Sequence, residues 1–183
     1  MAHAFDGSPG FFMEKSSMAM FENTIPVLIH SLSQLQKIIT KAEAYADQKQ
    51  FAGEVLVNSR LFPDMLPLVK QIQIAADTAK GCAGRLSGTP IPSFADHETS
   101  LSALRERLEK TIAYLKTIQP EQINGSESKA IELKLPNNTL NFMGIDYVNY
   151  FVLPNFYFHV STAYAILRHN GVELGKRDFL GER

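Results

Sequence analysis

The sequence predicts an all-α protein, an up-down-type four-helix bundle with a small β-hairpin before its last helix. Three observations predict it. Apolar residues recur at three- and four-residue steps in four separate stretches, proline or glycine punctuates the short connectors between them, and one segment alternates with period two.

The first helix is expected from Thr24 to Ala46. Ile25, Leu28, Leu32, Leu35, Ile39, Ala42 and Ala46 form one apolar stripe. Thr24 stands at the N-cap, and Pro26 falls in the first turn, where a missing N–H does no harm. His30 lies largely off the stripe and reads as a surface histidine.

A short apolar piece, Val55 to Arg60, precedes Pro63 and Pro67. Two prolines so close predict a bend or a short helix rather than a continuous one. The second long helix then runs through Leu66, Val69, Ile72, Ala76, Ala79, Ala83 and Leu86, with Gly88 placed for a left-handed cap. Its alanines and glycines would let a neighbouring helix approach closely. Cys82, among those small residues, reads as a buried hydrophobe.

Thr89 to Ala95, with Pro90 and Pro92, is a connector, and Asp96 or Thr99 could cap the third helix. There Leu101, Leu104, Leu108, Ile112 and Leu115 form the seam, while Arg105, Glu106, Arg107, Glu109 and Lys110 read as a solvated face. Gln119-Pro120 ends it.

The alternating run Ala130 to Leu135, the turn chemistry of Pro136-Asn137-Asn138 and the return Thr139 to Phe142 predict a hairpin. The fourth helix is expected from Gly144–Asp146 to about His169, stopped by Asn170-Gly171. Its aromatics surround it rather than form one stripe. That predicts a central helix, or a face shared with a second subunit.

At 183 residues the chain fits one domain, expected over residues 18–183 and preceded by a flexible arm over residues 1–17. A net charge of −1 lacks the basic excess that phosphate neutralisation requires, so nucleic acid is not an expected partner. The single cysteine, Cys82, precludes an internal disulfide and favours a reducing, cytoplasmic setting. The start of the chain lacks the basic and apolar pattern of a signal peptide. Tyr147 to Leu167 is long and apolar, but Asn149, Pro154, Asn155 and His159 make it a costly span in lipid, and no membrane association is expected. Phosphate loops, dinucleotide fingerprints, zincin motifs, nucleophile elbows and paired-cysteine zinc spacings do not occur.

Several longer strings carry a resemblance. They are Asn58 to Leu68, Gln71 to Ala75, Leu153 to His159, Ala163 to Arg168 and Gly171 to Phe179. In these the chain resembles an uncharacterised bacterial and fungal family of unknown function, within the DinB/YfiT-like four-helix-bundle superfamily. The resemblance implies a bundle that is often dimeric. In many superfamily members three histidines, one on the second helix and an H-x-x-x-H pair on a later one, hold a divalent metal. Some look like metal-dependent thiol transferases or hydrolases. Mapped onto this chain, His159 stands for the second histidine of the pair, Asn155 takes the place of the first, and Glu54 to Arg60 contains none.

Asn155 and His159 lie four apart and share a helix face. An amide is a weak ligand for a transition metal, so no cofactor is expected, and His159 is left as the one weak candidate ligand for a divalent ion. Asp64, Asp77 and Glu98 could add carboxylates only if the fold gathered them. Arg60 and Asp64 are spaced for an ion pair or for orienting a ligand beside the Pro63 bend. Asn155, His159, Arg60, Asp64 and Tyr164 are therefore the candidates for a small polar pocket taking an unidentified small molecule. The reading that follows is a bundle protein acting as a homodimer without assigned catalysis. The alternative is a divalent-metal-dependent transferase or hydrolase using His159 as ligand or base.

Overall fold

The structure, a computed structural model, describes residues 19–181 with the exception of Pro136. The expected arm over residues 1–17 and the proline of the hairpin turn lie outside the described residues. Four long helices dominate: α1 (Ile25–Lys49), α3 (Leu68–Ser87), α4 (Leu101–Leu115) and α7 (Leu153–His169). Short helical pieces join them: α2 (Glu54–Val57), α5 (Pro120–Ile123), a 3-10 turn (Ser126–Ser128), α6 (Gly144–Asp146) and α8 (Lys176–Leu180). The fold is thus mostly helical, with one two-stranded sheet ahead of α7.

Helix α1 packs on α4 and α3 on α7, and α3 also contacts α4. Between them lies one core, in which Leu28, Leu32, Leu35, Ile72, Leu104, Leu108 and Phe156 are fully buried. The predicted stripes supply it: Ile25, Leu28, Leu32, Leu35, Ile39, Ala42 and Ala46 are all buried along α1. No helix among the described residues is long and apolar enough to cross a membrane.

The helix ends correct the sequence reading in detail. Thr24 stands at the N-cap of α1 but makes no side-chain cap. Its hydroxyl donates backwards to the carbonyl of Met20 at 2.8 Å. Helix α3 starts at Leu68, not Leu66, because Pro67 is extended with ψ 168°. Gly88 ends it in the left-handed conformation, φ 79°, as expected. Ser100, rather than Asp96 or Thr99, caps α4: its Oγ accepts from the Ala103 N–H at 3.1 Å. Asp96 is unavailable for capping because Lys70 and Arg107 hold its carboxylate.

Small residues in α3 do admit a close neighbour. A Cβ added at Gly84 would overlap the side chain of Ile91 and stand 3.1 Å from the Tyr114 hydroxyl, so the connector and α4 both press on this point.

Strands β1 (Ala130–Leu135) and β2 (Asn138–Met143) pair antiparallel, with Ile131 opposite Phe142 and Leu133 opposite Leu140. Ile131 and Leu133 are buried, so the hairpin packs on the bundle through one face. The backbone then enters α6 and passes without a break into a π-helical segment, Tyr147–Val152, and α7. The Leu153 N–H bonds back to the carbonyl of Val148, five residues earlier. Pro154 follows at once; a proline inside a helix lacks the N–H and crowds the carbonyl four residues back, and a widened turn relieves that conflict.

Candidate functional site

The inner face of α7 meets α3 through two polar contacts. Asn155 donates from Nδ2 to the Thr78 hydroxyl at 2.9 Å, and one turn later His159 Nδ1 lies 2.7 Å from Gln71 Oε1. The four-residue spacing puts both side chains on one face of α7, as the sequence predicts. His159, Gln71 and Thr78 are buried and Asn155 is half-buried.

Gln71 determines the chemistry of His159. Its Nε2 donates to the Leu66 carbonyl at 2.9 Å, so its oxygen must be the atom facing the ring. An oxygen can only accept, so His159 Nδ1 carries the proton and Nε2 holds the lone pair. Burial depresses the imidazole below its ordinary pKa, which keeps it neutral. The result is an oriented neutral histidine whose Nε2 is an acceptor.

The remaining candidates are not brought to this site. Arg60 is exposed and donates to the carbonyls of Pro63 and Met65, at 3.4 and 3.3 Å. Asp64 is exposed in the same loop, and the loop is not helical, so no ion pair joins the two. The four-residue spacing assumed a helix that Pro63 and Pro67 prevent. Tyr164 packs edge-on against Phe179 of α8, ring centroids 5.8 Å apart.

A second polar cluster was not legible as a site. Arg107, read from the sequence as part of a solvated face, is 2% exposed. It donates to Asp77 at 2.9 Å, to Glu98 at 2.8 Å and to the Ala95 carbonyl at 3.3 Å, and pairs with Asp96 at 3.1 Å. Gln73 donates to the other oxygen of Glu98, and buried Lys80 pairs with Asp77 while standing 4.3 Å over the Phe94 ring. Burial alone would raise the carboxyls of Asp96 and Glu98, but hydrogen bonds from Lys70, Arg107 and Gln73 outweigh it and hold both below their usual range. The signal was Arg107's place on the seam, three residues after Leu104 and four before Thr111, both fully buried.

Cys82 is buried, and burial pushes its thiol up to about 12, which leaves it protonated and unreactive. Tyr147, buried beside it and accepting from Arg85 at 3.2 Å, is also pushed up to about 12 by burial.

The helical scaffold, its hairpin and the polar pair on α7 define a DinB-like protein. A crystal structure of a DinB family member protein from Shewanella denitrificans is similar, with a TM-score of 0.80 and 38% sequence identity over 89% of this chain and 92% of that one. The family model for the domain of unknown function DUF1993 matches residues 20–180, and the chain belongs to that family. No curated protein matches it.

The superfamily's divalent metal does not fit the residues present. At the α3–α7 contact the donors are one imidazole, two amides and the Thr78 hydroxyl. Gln71 spends its oxygen on the imidazole Nδ1 and its nitrogen on the Leu66 carbonyl, which leaves His159 Nε2 as the lone strong ligand atom. Asp77 and Glu98 are bound to Arg107, and Asp64 stands in the exposed loop. Among the described residues no group of three or more His, Cys, Asp or Glu side chains is gathered as for a metal.

Proposed function

We propose that this protein is an up-down four-helix bundle of DinB type that works by binding rather than by metal-dependent catalysis, with Asn155 and His159 at its site. The observation that carries this reading is the Gln71–His159 hydrogen bond. That bond leaves Nε2 as the one strong ligand atom at the site, since the neighbours of His159 are the Gln71 and Asn155 amides and the Thr78 hydroxyl, a neutral set of donors that a divalent ion binds poorly. The test is elemental analysis of protein purified without chelator and without a nickel column, wild type beside His159→Ala. Absence of bound metal from both is expected. Near-stoichiometric metal in the wild type, lost in the variant, would overturn the reading in favour of the metal-dependent transferase or hydrolase.

The active unit in this proposal is a cytoplasmic homodimer formed through the outer face of α7. From Tyr147 to Leu167 the chain carries no Asp, Glu, Lys or Arg, yet Tyr150 is 76% and Phe158 58% exposed. With Leu61, Pro154 and Ser161, Phe158 borders a shallow groove of about 460 Å³. A two-fold axis between Ser161 and Thr162 would set Phe158 of each copy against Ala165 of the other, large against small, with no charge to desolvate. Light scattering on the eluting protein should give twice the chain mass, and a strict monomer at tens of micromolar, a working concentration on the order of a typical weak dimer's range, removes this part. The reducing setting rests on the single buried thiol of Cys82.

A further inference from the structure

Between α7 and α8 the chain Gly171-Val172-Glu173-Leu174-Gly175 runs like a strand that has no strand beside it. Val172 and Leu174 are buried while Gly171, Glu173 and Gly175 are exposed, the period of two that an extended backbone imposes. The segment is not part of the β1–β2 sheet. Three of its N–H groups are spent: Gly171 and Val172 donate to the Arg168 and Leu167 carbonyls, and Gly175 donates to Asp178. Those of Glu173 and Leu174 have no partner among the described residues.

A cleft of about 970 Å³ separates this segment from the C-terminal half of α1. Lys41, Tyr45 and Gln48, at steps of four and three on one face of α1, form the opposite wall together with Lys49. The two walls touch at one end, where Gly171 lies on the Tyr45 hydroxyl and a Cβ would stand 2.5 Å from it. Lys41 and Asp178, both lining the cleft, close on each other at 2.6 Å. That leaves one charge of each sign: Lys49 and Glu173 are exposed, line the same cleft and form no ion pair among the described residues. The Tyr45 hydroxyl and the Gln48 amide also have no hydrogen bond there. An anion in the cleft would be repelled by Glu173 and a cation by Lys49, whereas a molecule carrying one of each sign answers both. An extended segment with open backbone groups favours a ligand that is itself an extended peptide.

We propose that this cleft is a binding site for short zwitterionic peptides of two or three residues, whose free ammonium group pairs with Glu173 and whose free carboxylate pairs with Lys49. The peptide lies along Glu173 and Leu174, with Tyr45 and Gln48 as further hydrogen-bonding groups on the α1 wall. Binding makes no covalent change. The cleft shares no residue with the α3–α7 contact, so metal analysis of His159→Ala neither supports nor removes it.

The experiment titrates the nitrogen-15-labelled full chain with L-alanyl-L-alanine and follows the backbone amides. The Glu173 and Leu174 amides should shift saturably. N-acetyl-alanylalanine, without the ammonium group, and alanylalanine amide, without the carboxylate, should each bind roughly fivefold more weakly, the upper end for a solvent-exposed ion pair. In Glu173→Gln the dipeptide should fall to the level of its acetylated form while that form is unaffected. In Lys49→Gln it should fall to the level of the amide. Both positions are exposed, so neither change disturbs the core. Dialanine that leaves the Glu173 and Leu174 amides unmoved overturns the proposal. Binding indifferent to both blocking groups also overturns it, as do variants that weaken all three compounds alike.

Discussion

Arg107 donates to one oxygen of Glu98 at 2.8 Å, and the other oxygen accepts from Gln73 at 2.7 Å, so a single carboxylate bridges α4 to α3 through the connector. The connector over residues 88–100 has no helix or strand of its own, and this ionic tie holds it on the bundle. Removing one partner leaves the other charge buried and unmatched. Arg107→Ala is expected to destabilise the protein by about 3 kcal/mol or more. Arg107→Met, which fills the space without a charge, should recover part of that only when Glu98→Gln is also present. Urea unfolding of the single and double variants measures the coupling.

Gln71→Leu is expected to cost about 1–3 kcal/mol, because it strips His159 Nδ1 of its partner in a buried setting. The paired change Gln71→Leu with His159→Phe should be closer to neutral, since both polar groups then leave together. Thermal unfolding of the three proteins distinguishes these outcomes.

Acid should weaken the fold in two windows. The folded-state pKa of His159 lies below the ordinary 6.5, so the unfolded chain takes up a proton there first. Stability falls as pH drops below about 6.5, and this loss ends once pH is under the folded value. Asp96 and Glu98 are depressed from 3.8 and 4.5, so their contribution is complete above those values and is lost as pH falls towards their folded pKa values. Unfolding free energy against pH should show the upper step in the wild type and not in His159→Gln.

Gly144 is packed where no side chain fits. A Cβ there would overlap the backbone carbonyl of Ser126, which cannot swing aside as a flexible side chain could. Gly144→Ala should therefore destabilise by about 1–3 kcal/mol, the range for overpacking. Gly125→Ala has open space but must hold φ 87°, so its cost is backbone strain alone. A comparison of their melting temperatures separates contact from conformation.

Phe158→Asp would set two like charges in the proposed dimer contact, each facing Ala165 of the other copy. The variant is expected to run as a folded monomer with an unchanged far-ultraviolet circular dichroism spectrum, since Phe158 is 58% exposed in the single chain. Light scattering provides the readout.

The long helices were legible because burial imposes a period on the residues that meet it. Leu28, Leu32, Leu35 and Ile39 announce α1 whatever they pack against. Partnerships across the fold were not. Arg107 and its neighbours Arg105 and Glu106 look alike in a charge run, and only its place on the Leu104–Leu108 seam marks it as internal. Gln71, three residues after Leu68, sits on the buried side of α3, but nothing local says that a histidine 88 residues away will face it. The Asn155–His159 pair could be read because helical spacing alone put its members together. Arg60 and Asp64 had the same spacing in a loop that never becomes helical.

The π turn between Tyr147 and Val152 also separates two halves of one rod. Each residue of an α-helix advances the face by about 100°, so a residue housed in a wider turn is one that neither half counts. The aromatic half, where Tyr147 stacks on Phe151 at 5.9 Å beside Phe142, and the half bearing Asn155 and His159 keep independent phase. Shortening the segment by one residue would tighten the turn to ordinary α-geometry and leave both faces where they are. Lengthening or trimming α7 further along would swing His159 away from Gln71. The rod thus has a built-in slack link at its aromatic end and none at its polar one.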